Sequence, residues 1–227
     1  MINPAPTLPS SAAGSTVLRY VSLNAHSRLT YFLERSGHIG HGYESPEPCG
    51  DGSIDDKNRK EIIMNNIHLE KLTWDTVDDV LKLKVSKEQK EFVATNRDSM
   101  IDAYFALTEE KFPVYTFGIY LGKKPVGFLM IGYDVPWAVQ YYDLPRGYYY
   151  IWRFMVDKRY QCNGYGREAL KLAVDFIKTS PSGKSEYCWL SYEPENKVAR
   201  KLYLSFGFKE KKELWKEDQE IPAVYKL

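Results

Sequence analysis

The 227-residue chain carries 31 Lys and Arg against 30 Asp and Glu, a formal charge of +1, so it lacks the basic excess that holds nucleic acid. No apolar run approaches the ~18 residues that cross a bilayer, and no basic region followed by an apolar core opens the chain, so neither a membrane span nor a secretory signal is legible. Three cysteines, Cys49, Cys162 and Cys188, are odd in number and lack metal-ligand spacing, so a metal-free cytoplasmic protein is the default expectation.

The first 63 residues differ from the rest. Pro, Gly and Ser are dense from Pro4 to Ser53, and three of the four histidines (His26, His38, His41) lie there. Only the patch Thr16 to Leu33 offers a strand or helix, too little apolar surface to offset its ordering entropy. His38, His41 and Cys49 make a poor metal set. Arg59-Lys60-Glu61 can be encoded by a purine-rich stretch like a bacterial ribosome-binding site, just ahead of Met64. The expectation is that Met64 is the native start, residues 1–63 a non-native leader or poorly ordered extension, and residues 64–227 the folded domain.

From Met64 the elements follow an α/β order. Asn66 to Leu72 alternates as a strand, and Thr73 can cap a helix carrying Val77, Val80, Leu81 and Val85 on one face. A second helix spans about Asp98 to Leu107, with Ile101, Tyr104, Phe105 and Leu107 as its apolar set. Val114–Leu121 and Val126–Tyr133 read as a hairpin across Gly122-Lys123-Lys124-Pro125, and Asp134 to Gly147 as a variable loop. The strand-like run Tyr148 to Val156 then meets Gln161-Cys162-Asn163-Gly164-Tyr165-Gly166, which opens a helix over Arg167 to Lys178. Glycines in a turn between strand and helix permit φ > 0 and aim several N–H groups at one point, where the helix N-terminus adds positive potential; a phosphate suits such a nest. A nucleoside-triphosphate P-loop and the Gly-x-Gly-x-x-Gly dinucleotide fingerprint are both absent. A strand at Tyr187–Tyr192, a helix from Asn196 and two strand-like pieces, Lys209–Leu214 and Ile221–Lys226, complete the chain.

The Gln-x-x-Gly-x-Gly loop resembles the acyl-CoA pyrophosphate loop of the GNAT superfamily of N-acyltransferases. Asn196-Lys197-Val198-Ala199-Arg200-Lys201-Leu202-Tyr203-Leu204-Ser205-Phe206-Gly207-Phe208 resembles that family's Asn-x-x-Ala-x-x-Leu-Tyr-x-x-x-Gly-Phe segment at every fixed position. The resemblance covers roughly Asn66 to Leu227. Within it, the Trp-Arg-Phe-Met-Val-Asp-x-Arg-Tyr-Gln and Leu-Ser-x-x-x-Glu-Asn blocks are most similar to the bacterial spermine/spermidine (diamine) acetyltransferase branch. It implies an α/β fold: a mixed, mainly antiparallel twisted sheet of six to seven strands with about four helices, splayed between the fourth and fifth strands. The implied reaction moves acetyl from acetyl-CoA to a primary amine of a polyamine, directly within a ternary complex, and dimers are usual in such families. An aminoglycoside-type antibiotic acetyltransferase and a protein-amine acetyltransferase are alternatives, and a non-catalytic acyl-CoA-binding module is the reading of a different class.

Several residues acquire roles from this resemblance. The backbone of Gln161, Cys162, Asn163, Gly164, Tyr165, Gly166 and Arg167 would cradle the pyrophosphate, with Arg159 and Arg167 adding charge or serving as solvated surface residues. Main-chain groups of Phe154, Met155 and Val156 would pair with the pantetheine arm, and Asn196 would bond it from the other side, cap its own helix, or both. Tyr203 would stand beside the CoA sulfur and give the leaving thiolate a proton; thiol and phenol pKa values near ~8.5 and ~10 make that bond reasonable. The loop commonly carries Gly-Lys where this chain has Cys162-Asn163, and Cys162 lacks the histidine partner that covalent catalysis would need.

The amine is the energetic problem. At a pKa near ~10.4 only about one molecule in 2,500 is neutral at pH 7, a deficit of roughly 4.6 kcal/mol. His68 is the domain's one histidine and sits in the first strand, so carboxylates must relieve it: Glu193 or Glu195, either of which also suits a helix start. For the cationic acceptor, Glu88, Glu91, Trp152 and Glu193 are the candidates, with Asp134, Tyr141, Tyr142 and Asp143 behind them; each serves as well as a surface charge or core aromatic.

Overall fold

Strand-forming aromatic and β-branched residues dominate the middle of the chain, and they assemble one seven-stranded sheet. The structure, a computed structural model, describes residues 67–144, 146–216 and 219–227. The expectations for residues 1–63 and for Met64 as a start lie outside the described residues. β1 (Ile67–Lys71), β2 (Val114–Leu121), β3 (Lys124–Tyr133) and β4 (Tyr149–Val156) pair antiparallel in chain order. β5 (Tyr187–Tyr192) lies parallel to β4, then antiparallel to β7 (Ile221–Lys226), and β6 (Lys209–Glu210) closes the edge, giving the order β1-β2-β3-β4-β5-β7-β6. This is the mixed, mainly antiparallel sheet expected.

The helices divide between the two faces. α4 (Tyr165–Lys178) makes the parallel crossover, burying Ala169, Leu170, Ala173, Val174 and Ile177 at helical spacing. With α5 (Lys197–Phe206) it covers a cluster that includes Phe117, Ile119, Leu129, Tyr149, Leu190, Tyr192 and Tyr203. The other face carries α1 (Val77–Leu81), α2 (Asn96–Phe105) and α3 (Pro136–Tyr142), packed around Phe112, Phe128, Met130, Tyr150 and Trp189. No helix of the described residues is long and apolar enough to cross a membrane.

Local expectations failed in four places. α1 is a five-residue helix whose N-cap is Thr76; Thr73 instead starts the preceding turn, accepting from the amides of Thr76 and Val77 at its carbonyl. α2 turns its small and polar residues inward, Asn96, Ser99 and Ala103, while Ile101 and Tyr104, with Leu107 in the π-helical turn that follows, face solvent. Close approach is the reason: Asn96 Nδ2 donates to the Val80 carbonyl at 2.8 Å, a contact a bulky apolar side chain would prevent. The segment read as a variable loop holds α3, started by Pro136 at its first turn and fixed by buried Val135, Ala138, Tyr142 and Leu144. Beyond Glu210 the expected strand becomes a 3₁₀ turn, Lys212–Leu214.

Backbone crowding at β3 makes the packing testable. A Cβ on Gly127 would stand 2.4 Å from the Met155 carbonyl oxygen and 2.9 Å from Ile119 Cδ1. Gly127→Ala should cost about 1–3 kcal/mol, read as a lowered midpoint in chemical denaturation.

Candidate active site

β4 and β5 share only three residue pairs, Tyr149–Cys188, Tyr150–Trp189 and Ile151–Leu190. Past Ile151, β4 stays on β3 as far as Val156 while β5 follows β7, so the two strands part and leave an open edge on β4. Met155 points its carbonyl at Gly127, so its main-chain groups serve β3. Strand alternation turns those of Phe154 and Val156 toward the opening. The Val156 carbonyl accepts from Gln161 Nε2 at 2.9 Å, which leaves the Val156 N–H and both groups of Phe154 to bond an extended ligand. Of the three residues expected to pair with such a ligand, Met155 has its main chain turned away, because the ladder to β3 uses it.

The glycine loop hangs from a buried carboxylate. Asp157 accepts from the amides of Lys84 and Arg159 and from the Arg159 guanidinium. Burial opposes its charge and these bonds overcome that, holding its pKa below the ordinary value. Gln161 reaches back to Gln89 as well as to Val156, and Asn163 Nδ2 to the carbonyls of Tyr160 and Gln161, so the loop's own side chains brace its curve. Cys162 (φ 62°) and Gly164 (φ 81°) are both left-handed, which turns the chain into α4. No side chain caps that helix, so its first amides face outward. Tyr165 is buried in the core and contributes only backbone. Arg159 is paired with Asp157, and Arg167 bonds Ser205 and lies over the Phe206 ring, tying α4 to α5. Beside them an open groove of about 430 Å³ is lined by Lys197, Val198, Lys201, Leu202 and Ser205. The arrangement fits an anionic, extended thioester: outward amides for its phosphates and a free strand edge for its arm.

Tyr203 lies on the inner side of α5, its ring among Phe154, Tyr192 and Phe208. Burial, then the charge of Glu220, push its pKa up, so it stays a proton donor at neutral pH. Asn196 caps α5, its Oδ1 accepting from the Ala199 amide at 3.1 Å.

The opposite face of the opening is acidic. Glu193, half-buried just past β5, has its pKa raised by burial and by the charges of Glu220 and Glu195. Ser191 donates to Glu220 Oε2 and accepts from Tyr150 Oη at 2.7 Å, while Tyr142 Oη donates to the Glu220 carbonyl. Arg153 bonds Asp102 of α2 at 3.3 Å and stacks over Trp152, which also packs on Phe112 and Trp137. Asp102 and Glu110 are both raised by burial first, Glu110 also by its acidic neighbours Glu109 and Asp102. Glu88 stands elsewhere: its charge is set against Lys87 and Lys158 beside the glycine loop, where Gln89 bonds Gln161, and Glu91 follows in the same exposed segment. Asp134 pairs with Arg146. Among the described residues no cluster of His, Cys, Asp and Glu could hold a metal ion.

Glu220, Asp102 and Arg153 were not singled out from sequence. Glu220 closes a charged run that reads as a solvated turn, and only its place before β7 could have marked it.

Residues 81–208 match the model of the acetyltransferase (GNAT) family. The spermine/spermidine N(1)-acetyltransferase of Bacillus subtilis (strain 168) is 29% identical over 147 residues, 63% of this chain and 88% of that protein. Among solved structures, the PaiA N-acetyltransferase from Thermoplasma acidophilum in complex with coenzyme A aligns with a TM-score of 0.50 at 14% identity, over 71% of this chain and 99% of that one. An acetyltransferase from Thermus thermophilus aligns at 0.52 and 15% identity, over 71% and 97%.

Cys162→Gly should relieve the left-handed strain and stabilise the protein by up to about 1 kcal/mol, seen as a raised denaturation midpoint. Glu193 is penalised when ionised, since its folded pKa lies above the unfolded one. Glu193→Gln should therefore raise the melting temperature at pH 7, and the gain should vanish as pH falls below the ordinary carboxylate range.

Proposed function

The chain belongs to the acetyltransferase (GNAT) family and is an acetyl-CoA-dependent N-acetyltransferase, and from that premise we propose that its acceptor is a primary amine of a polyamine such as spermidine or spermine. One observation carries the choice. Carboxylates crowd one another here: Glu220 and Glu195 act on Glu193 just past β5, and Glu109 and Asp102 act on Glu110 on the side where Asp102 meets Arg153 of β4. Arg153 answers part of that charge through Asp102. A flexible polycation would relieve the rest at several points along its length, and aromatic Trp152 and Trp137 line the same side. The similarity to a Bacillus spermine/spermidine acetyltransferase supports the same substrate class.

Acetyl-CoA would be held by the amides of residues 162–166 and by Phe154 and Val156, with Asn196 near the arm; it supplies the activated acetyl group. The acidic side attracts the ammonium and takes its proton, leaving a lone pair on nitrogen. That nitrogen bonds the acetyl carbon, the carbon–sulfur bond breaks with its electron pair on sulfur, and Tyr203 gives the sulfur a proton that solvent later restores. A second proton leaves the nitrogen as the amide forms, so an ammonium yields an acetamide, a thiol and one proton released. Cys162 takes no covalent part.

Thiol release with acetyl-CoA against spermidine, spermine, putrescine, kanamycin and a lysine peptide tests the assignment. Spermidine or spermine should give the highest kcat/KM; preference for kanamycin or the peptide would overturn it. Tyr203→Phe should lower kcat by about 10-fold or more while leaving the KM for acetyl-CoA nearly unchanged.

A further inference from the structure

The opening between β4 and β5 has two faces with different chemistry. Cys188, Leu190 and Tyr192 of β5 join the cluster under α4 and α5 that holds Tyr203, whereas Trp189 joins the opposite cluster with Tyr150 and Tyr142. Alternation puts Ser191 on that opposite face. Ser191 is also the first β5 residue beyond the last pair with β4. The hydrogen-bond chain from Tyr150 through Ser191 to Glu220 therefore crosses the opening at its apex, joining β4, β5 and the segment before β7.

We infer that Glu220, rather than Glu193, is the carboxylate that takes the proton of the incoming ammonium, and that Tyr150 and Ser191 are the positioning residues that hold it there. The inference rests on the amine-acetyltransferase reading above. Three observations support it. Ser191 has one proton; accepting from Tyr150 orients that proton onto Oε2, so Glu220 is fixed by one oxygen and offers Oε1. The Glu220 charge acts on Tyr203 and Glu193 alike, so it stands within electrostatic reach of both the acid of one face and the acidic rim of the other. Glu193, by contrast, has no hydrogen-bond donor among the described residues to aim it, which suits attraction of a cation better than transfer of a proton.

The groups around Glu220 come from each neighbouring element: Tyr150 and Arg153 of β4, Ser191 and Glu193 at β5, Tyr142 of α3 and Tyr203 of α5. Asp102 of α2 stands behind Arg153. In the step, an ammonium N–H bond breaks, its electron pair remains on nitrogen, and an O–H bond forms at Oε1. The carboxyl group of this partly buried residue then returns the proton to water.

The test follows kcat/KM for the amine from pH 7 to 9.5 in wild type, E220Q, E193Q and S191A, using the amine the wild type acetylates best. E220Q should lose about 100-fold at pH 7 with the KM for acetyl-CoA within about 2-fold of wild type. Its deficit should shrink by nearly tenfold per pH unit, because rising pH supplies the neutral amine that the carboxylate otherwise makes. S191A should show a smaller deficit that closes the same way, and it carries the test should E220Q fail to fold. E193Q should raise the KM for the amine with no such closing. A deficit in E220Q that is constant with pH, or absent, or a closing deficit in E193Q alone, would overturn the inference. A wild type that prefers kanamycin or a peptide would overturn the polyamine reading instead, and the same comparison on that amine still decides Glu220.

Discussion

The early end of the β4–β5 ladder is the constraint from which the rest of the site follows. Each strand has another partner that holds it to its full length, β3 for β4 and β7 for β5, so the two are drawn apart once their common pairs are used. A strand edge left open inside a protein has unpaired N–H and C=O groups that something must satisfy. Here Gln161 takes one carbonyl, and the other groups await a ligand that can behave like a strand. The same divergence carries β4 directly into the glycine loop, so the free edge and the outward amides of α4 lie end to end. The Asp157 clamp to Lys84 and Arg159 fixes the bend between them.

Divergence also separates two kinds of chemistry that would otherwise quench each other. Tyr203, kept protonated by burial, belongs to the face under α5, while Glu193 and Glu220 belong to the face under α3. Proton acceptance and proton donation can then occur on opposite sides of one thioester. The arrangement has a stability cost, because half-buried carboxylates repel one another until a cation arrives. Sites of this kind are the expected places for a fold to be less stable than its sequence allows.

The architecture was legible because its signals are long and periodic. Alternation over Val114–Tyr133 and the amphipathic run of α4 marked the hairpin and a long helix, and the resemblance carried by the motifs at Gln161 and Asn196 implied the mixed sheet. Short elements were not legible. α3 has only seven residues, and its apolar residues matter only because β4 and β5 stand opposite them. α2 and the turn after it misled because Ile101, Tyr104 and Leu107 looked like a core face yet are exposed, and the tight packing at Ser99 and Ala103 has no signature in hydropathy. In the site, the glycine-loop backbone and Tyr203 were marked as candidates by the family resemblance of their motifs. Glu220 did not, since a carboxylate in the run Lys216–Glu220 acquires its meaning only when Ser191 and Tyr150 are brought to it across the sheet.

The most direct test of this account is amide hydrogen exchange of the full chain with and without saturating acetyl-CoA. Exchange should slow at Phe154, at Val156 and across residues 162–166, with little change at Met155, whose amide already serves β3. Unchanged exchange at Phe154 and Val156 under saturation, or protection confined to other strands, would show that the open edge of β4 is not where the cofactor binds.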